Sequence, residues 1–192
     1  MSSAVSQPHA TSKAAQAHVI SALAKGAAAG VVGAVMMAMY AMIASATYQH
    51  HGFFTPLYHI ASTFISTSAL MASMQHAMMG SSFYFALGPA ILGAIIHMMI
   101  GAMYGAVLAL LVSMRRLSAP MLVTAGTAWG AVAFALSTWV LLPPVASVFS
   151  SGDQITHVAS MVGYGTFLVE HLVFGMTAGL LLLALRSARS TS

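Results

Sequence analysis

Residues 86–113 read ALGPAILGAIIHMMIGAMYGAVLALLVS, an apolar run without a single Lys, Arg, Asp or Glu. A helix rises about 1.5 Å per residue, and roughly 20 apolar residues suffice to cross the hydrocarbon core of a bilayer. The stretch therefore predicts a membrane-spanning α-helix.

Three further stretches have the same character, at about residues 26–48, 121–145 and 159–185. The whole chain is 59% hydrophobic and 4% charged, whereas soluble domains carry about 25% charged residues. This composition excludes a water-soluble enzyme and a disordered chain, and the few basic residues do not indicate a nucleic-acid partner. The sequence predicts an all-α integral membrane four-helix bundle that has the lipid bilayer as its partner.

The basic residues predict the orientation of these spans. The two outer links, residues 49–85 and 146–158, contain no Lys or Arg. All six basic residues instead precede the first span, separate the second from the third, or follow the fourth: Lys13, Lys25, Arg115, Arg116, Arg186 and Arg189. By the positive-inside rule, both termini are expected in the cytoplasm. We expect a multi-pass protein of a bacterial inner (cytoplasmic) membrane.

The chain is expected to form one four-span domain, residues 19–186, between tails at 1–18 and 187–192. The first outer link contains Leu57–Met71, in which apolar residues recur near helical spacing between His, Ser and Thr. That pattern is too polar for a fifth span and predicts one helix that lies in the outer interface.

An internal repeat relates the two halves of the chain. Gly26-x3-Gly30 recurs 100 residues later as Gly126-x3-Gly130. His97-x3-Gly101-x3-Gly105 recurs 74 residues later as His171-x3-Gly175-x3-Gly179. The pattern predicts two tandem hairpins, residues 26–113 and 121–185, related by an axis normal to the membrane.

These motifs resemble those of an uncharacterised group of small four-span bacterial and archaeal membrane proteins, defined as a domain of unknown function. The resemblance covers about residues 25–185. This chain differs from the group at Gln49-His50-His51, where the group has an acidic residue. The matching positions are Lys25, Gly26 and Gly30, the His-Gly-Gly motif of each half, and Trp139 with Pro143 and Pro144. The resemblance implies the four-span topology and no particular reaction.

Three polar residues lie deep in the predicted spans: His97, Glu170 and His171. Both histidines are roughly 15–18 Å from the outer edge at 1.5 Å per residue. Polar groups at this depth are costly and normally face the bundle and each other. We expect a cluster of these three side chains near the midplane, with Tyr104 and Tyr164 as possible neighbours.

The cluster has three candidate roles. It can be a polar packing core, or a site for haem b or a transition metal, since imidazole is a common ligand of both. It can also relay protons through Glu170 in a transport protein. The glycines on the two histidine helices, Gly101, Gly105, Gly175 and Gly179, are expected to pack helices, and they can at the same time leave a flat slot beside each histidine for a planar cofactor.

A second candidate metal site lies in the first outer link, where thioethers and an imidazole are closely spaced: Met71, Met74, His76, Met78 and Met79. Soft ligands of this kind suit Cu(I), with His50, His51 and His59 as possible additions. The alternative is that these methionines pack an interfacial segment.

An enzyme is not favoured, because the two acidic residues, Asp153 and Glu170, complete no recognised catalytic motif. The Gly-rich faces suit association with other membrane subunits or with a second copy of the chain.

Overall fold

A computed structural model of the chain describes residues 8–115 and 117–187, and this part is helical and contains no strand. In chain order the elements are α1 (Pro8–Ala46), α2 (Thr55–Ala61), α3 (Ser68–Met78), α4 (Leu87–Ser113), α5 (Ala119–Ala135), a π-helical segment (Leu136–Leu141), α6 (Leu142–Val148), α7 (Asp153–Thr156), α8 (Val158–Val162) and α9 (Tyr164–Ser187).

Four stretches are long and apolar enough to cross a membrane: Ala15–Ala46, Leu87–Ser113, Ala119–Val148 and Tyr164–Ser187. The third span therefore comprises α5, the π-helical segment and α6. The predicted all-α protein with four membrane-spanning helices is confirmed at this level. We call the end of the bundle that carries residues 47–86 and 149–163 the link end, and the opposite end the terminal end.

Helix α1 includes part of the predicted N-terminal tail, because residues 8–18 are helical. Residues 1–7 and 188–192, which include the rest of both predicted tails, lie outside the described part of the chain.

The first link differs from the single interfacial helix expected at Leu57–Met71, because it forms two helices, α2 and α3. Between them lies a segment rich in hydroxyl groups, and Ser62 Oγ donates to Tyr58 O (2.6 Å) where α2 ends. Such local bonds compete with helix continuation. Helix α2 is also buried rather than superficial: a Cβ at Gly93 of α4 would overlap the Leu57 carbonyl.

The spans do not surround a symmetric core. Helix α1 packs closely against both α4 and α9, and α9 packs against α5, while α4 and α5 touch only briefly. Around the bundle the order is thus α4, α1, α9 and α5. A gap remains between α4 and the third span.

Glycines on α1 and α4 allow the backbones of the two helices to approach closely. A Cβ at Gly30 would overlap the carbonyl oxygen of Gly101, and one at Gly105 would overlap that of Gly26. Close backbone approach of this kind supplies the van der Waals packing that holds helices together in lipid. Helices α5 and α9 meet in the same manner through Gly126.

The packing register of the two helix pairs differs from the register of the sequence motif. Gly105 contacts Gly26 and Gly30, and the residue with matching contacts to α5 is Gly175, 70 residues later. The motif instead pairs Gly105 with Gly179, 74 residues later. The second pair is therefore shifted by one helical turn relative to the first.

The third span contains a π-helical segment that was not expected. In it, the Leu142 N–H donates to the carbonyl of Ser137, five residues earlier. Pro143 and Pro144 follow directly and have no N–H to donate to the preceding turn. The helix accommodates this loss by a local change in winding, as π-bulges do.

Candidate functional site: the central cavity

A cavity of about 540 Å³, which we call the central cavity, lies in the gap between α4 and the third span. Its wall is largely apolar and includes residues of α1, α2 and α9. At its terminal-end side, the Trp129 Nε1–H donates to Tyr104 O (3.0 Å). The Tyr104 hydroxyl is hydrogen-bonded to Ser137 Oγ (3.1 Å), which joins α4 to the π-helical segment.

The central cavity opens sideways, toward the surface that lipid would cover. Met99 and Met103 of α4 line the cavity, yet they are 66% and 52% exposed. Leu141 of the π-helical segment lines it from the other side and is 39% exposed. Apolar side chains that border both a cavity and the outer surface of membrane spans mark a lateral opening.

At the link end, contacts between the two links close the cavity. Ser151 Oγ donates to Thr63 O (2.8 Å). The rings of Phe64 and Phe149 meet edge to face, with centroids 4.6 Å apart. Thr63 and both phenylalanines belong to the wall of the cavity.

His97, Glu170 and His171, the three residues expected to cluster, all line the central cavity. Glu170 and His171 are each 5% exposed, and His97 is half-buried. The two imidazoles are near enough to interact electrostatically. His171 lies where α9 packs on Gly130 of α5, whereas His97 lies where α4 packs on Ala34 of α1.

Each imidazole is anchored through one of its nitrogens. The His97 Nε2–H donates to Ala34 O (3.0 Å) across the interface with α1. The His171 Nδ1–H donates to Phe167 O (2.7 Å), one turn earlier in α9, and its ring lies edge-on to that of Phe167. In these neutral tautomers the second nitrogen of each ring is a hydrogen-bond acceptor or metal ligand.

The carboxyl group of Glu170 lies in the neighbourhood of a tyrosine. Tyr40 of α1 is close enough to interact electrostatically with this carboxyl group. The Tyr40 hydroxyl is hydrogen-bonded to that of Tyr48 (3.3 Å), which donates to Thr166 Oγ1 (3.1 Å). A short chain of hydroxyls therefore runs from the region of Glu170 toward the link end.

The two tyrosines expected beside the cluster lie in different places. Tyr104 is buried in the wall of the central cavity. Tyr164 is exposed, and its ring stacks on Trp139 at 6.5 Å. In the described residues, no three His, Asp or Glu side chains come together as ligands of one metal ion.

The four glycines of the histidine helices pack against other helices, as the packing interpretation expects. The positions beside Gly105 and Gly175 are filled by backbone of α1 and α5. A Cβ at Gly179 would meet backbone of α5 around Leu122 and Gly126. Gly101 also packs on α1, at Gly30 and Ala34, but it borders the central cavity as well.

His59 of α2 is a cavity residue that the sequence did not single out as part of this site. It is 5% exposed, and its Nε2 has no hydrogen-bond partner. Burial, together with the nearby His51, lowers the pKa of His59 to about 4. The sequence pattern placed His59 on the polar side of an interfacial helix. Only the packing of α2 into the bundle reveals its burial.

The methionine-rich segment lies away from the central cavity, on α3 and just after it. Met71, Met74 and Met78 share one face of α3 by helical spacing. His76 lies on another face, where its ring stacks on Tyr84 at 4.9 Å. Met79 follows the helix and is largely exposed. Copper binding by this segment stays a prediction.

No family model matches the chain, and no curated protein or solved structure was found to be similar to it.

Proposed function

We propose that the protein binds a neutral, lipid-soluble molecule with a hydroxyl group in the central cavity. The observation that supports this is a largely apolar cavity with a lateral opening and with His59, His97, Glu170 and His171 in its wall. A ligand that enters from the bilayer must itself be apolar. Its polar group gains most from partners that are shielded from water.

The hydrogen-bonding pattern of the imidazoles favours a ligand that donates. His97 and His171 each use one N–H on a backbone carbonyl, so the second nitrogen offers an acceptor. A hydroxyl group complements such an acceptor, whereas an ether or a hydrocarbon does not. The described residues of the wall include no Lys or Arg, which disfavours an anionic ligand.

A matched pair of probes tests this proposal. 4-Decylphenol and its methyl ether, 4-decylanisole, differ in little more than the hydroxyl donor. Titration into the detergent-purified protein, followed by the fluorescence of Trp129 and Trp139, is expected to show about ten-fold tighter binding of the phenol. This factor corresponds to one net hydrogen bond of about 1–1.5 kcal/mol.

The double variant His97→Phe with His171→Phe is expected to bind the two probes equally, because the rings are retained and both acceptors are removed. The matched control is His157→Phe, since His157 is exposed and outside the cavity. Equal affinity of the unmodified protein for phenol and ether would contradict the proposal. So would a preference that survives undiminished in the double variant.

Haem b is a second candidate ligand, and the anchoring of the two imidazoles favours it. Histidines that bind iron characteristically donate their other N–H to a carbonyl or carboxylate, as His97 and His171 do. Bound haem would supply redox chemistry. The described wall contains no Lys or Arg that could pair with the haem propionates. Titration with haem should then shift the Soret band away from that of free haem, and the shift should be lost in both His97→Ala and His171→Ala.

Proton transfer through Glu170 is the alternative function. The hydroxyl chain from Tyr40 through Tyr48 to Thr166 supports it, because it offers a route from the carboxyl group toward the link end. Unchanged proton permeability of liposomes that contain Glu170→Gln would exclude this function.

We further propose that both termini face the cytoplasm of a bacterial inner membrane and that the spans are two tandem hairpins. The close packing of α1 on α4 and of α5 on α9 supports the hairpins, and the distribution of Lys and Arg supports the orientation. Membership of the uncharacterised four-span group is part of the same proposal.

A further inference from the structure

A second cavity, of about 310 Å³, lies at the terminal end of the bundle. Residues of α1, α4, α5 and α9 and of the link between α4 and α5 surround it. It shares no lining residue with the central cavity. We call it the terminal-end cavity, and its properties do not depend on the function proposed for the central one.

Three basic residues from different parts of the chain line the terminal-end cavity: Lys25 of α1, Arg115 after α4, and Arg186 of α9. The chain has only two acidic residues, and neither is near: Glu170 lines the central cavity, and Asp153 begins α7 at the link end. Three positive charges thus line one cavity, and its described lining contains no Asp or Glu. An anion bound there would be attracted by all three.

Hydrogen bonding holds one of these cations at the edge of the cavity. The Arg186 Nη1–H donates to Leu117 O (2.6 Å), which ties the end of α9 to the link between α4 and α5. A guanidinium carries five N–H donors, so others remain for a ligand. Lys25 is half-buried, one residue before the close packing of α1 on α4 at Gly26.

The inner wall of the terminal-end cavity is apolar. Ala109, Leu122 and Leu182 line it, and all three belong to the buried core that joins α4, α5 and α9. A site with basic residues at its rim and an apolar inner wall suits an amphiphile better than a fully hydrated ion.

We propose that the terminal-end cavity binds the phosphate group of an anionic ligand, with a phospholipid of the adjacent leaflet favoured over free phosphate by the apolar wall. Arginine forms bidentate, charge-assisted hydrogen bonds with phosphate oxygens, and lysine contributes a point charge. Basic pockets between spans bind anionic headgroups in this way.

Native mass spectrometry of the full-length protein tests the site, with dioleoyl-phosphatidylglycerol as the anionic probe and dioleoyl-phosphatidylcholine as its zwitterionic match. The anionic lipid is expected to bind about ten-fold more tightly. Lys25→Gln, Arg115→Gln and Arg186→Gln should each weaken its binding by about five-fold, as one basic residue typically does near a charged headgroup. The matched control is Lys13→Gln, which removes an exposed lysine of α1 outside the cavity.

A second arm identifies the source of the phosphate. Thermal unfolding is followed in detergent with inorganic phosphate against chloride at equal ionic strength. If phosphate raises the melting temperature and Arg186→Gln removes the effect, the site accepts soluble phosphate. If only the phospholipid binds, the ligand is a lipid.

Two outcomes would overturn the proposal. One is equal binding of the two lipids together with no effect of phosphate on unfolding. The other is a loss of binding in Lys13→Gln as large as in the three cavity variants, because the charge of the whole end would then explain the result. Melting temperatures measured without ligand show whether each variant folds. Because there are three independent variants, the test can still be made if one of them does not fold.

Discussion

The imidazole of His59 is buried in α2, and burial is the main reason why its pKa falls to about 4, with His51 as the second cause. In an unfolded chain the same group titrates near pH 6.5. Between these two values the unfolded chain binds the proton and the folded protein does not. The contribution of His59 to the free energy of unfolding is therefore complete above about pH 6.5, and it is lost as the pH is lowered toward 4.

We predict that acidification from pH 7 to pH 4.5 lowers the melting temperature, and that His59→Asn removes part of this dependence. The contribution of His59 is of order 3 kcal/mol over the full range, or several degrees for a chain of this size. Intrinsic fluorescence during thermal unfolding measures it. His157→Asn, which changes an exposed histidine, should keep the full slope. If the melting temperature of His59→Asn depends on pH as strongly as that of the unmodified protein, protonation of His59 does not destabilise the fold and the prediction is wrong.

At the scale of the element, the contact of α1 with α4 depends on glycine. We predict that Gly30→Ala lowers the free energy of unfolding by about 1–3 kcal/mol, because its Cβ would overlap the carbonyl of Gly101 and force the helices apart. Unfolding by a denaturing detergent in mixed micelles measures the change. Gly165→Ala is the control, since nothing lies within 4 Å of a Cβ there. Equal stability of the two variants would contradict the close approach.

The third span offers a second test at this scale. Replacing Pro143 and Pro144 together by Ala restores two N–H donors, and we predict that the π-helical segment then becomes regular α-helix. Since a π-turn accommodates an extra residue, regular winding rotates Ser137 and Leu141 relative to α4 and changes the wall of the central cavity.

The expected result for this double variant is binding of 4-decylphenol weakened by about five-fold or more, with a melting temperature no lower than that of the unmodified protein. The matched control is Pro120→Ala, because Pro120 lies in the first turn of α5, where proline removes no helical hydrogen bond. Unchanged affinity in the double variant would show that the π-helical segment does not shape the cavity.

At the scale of the whole molecule, the central cavity results from unequal helix packing. A bundle of two equivalent hairpins would pack α4 on α5 as closely as α1 on α9. Instead α4 and α5 are separated from each other, and α2 packs on α4 at the link end. The extra residues of the first link and the one-turn shift of α9 on α5 accompany this asymmetry.

The absence of cysteine allows the orientation of the whole molecule to be measured directly. We predict that a single cysteine at Ser81, exposed in the first link, reacts with a membrane-impermeant maleimide in intact cells, because the proposed orientation places that link outside the cytoplasm. A cysteine at Lys13 should react only after the cells are opened. Both positions are exposed, so accessibility within the protein does not differ. The reverse labelling would contradict the orientation drawn from the basic residues.

The membrane class and the four spans followed from sequence alone because both depend on local quantities. A run of apolar residues such as 86–113 is long and apolar enough to cross the hydrocarbon core whatever its neighbours are. Burial of His97 and His171 was also foreseeable, since a polar side chain at that depth must face the bundle. The hydrogen-bond partners of these two histidines, Ala34 O and Phe167 O, could not be predicted from the sequence.

Tertiary structure decided the remaining properties of the site. His59 enters the wall of the central cavity only because α2 packs against α4 at Gly93, a contact that no local pattern specifies. The terminal-end cavity likewise joins Lys25 to Arg186, which are far apart in the chain. The sequence sets which segments leave water, because hydropathy adds residue by residue. The relative positions of helices depend on side-chain packing between distant segments, and so the cavities exist only in the folded bundle.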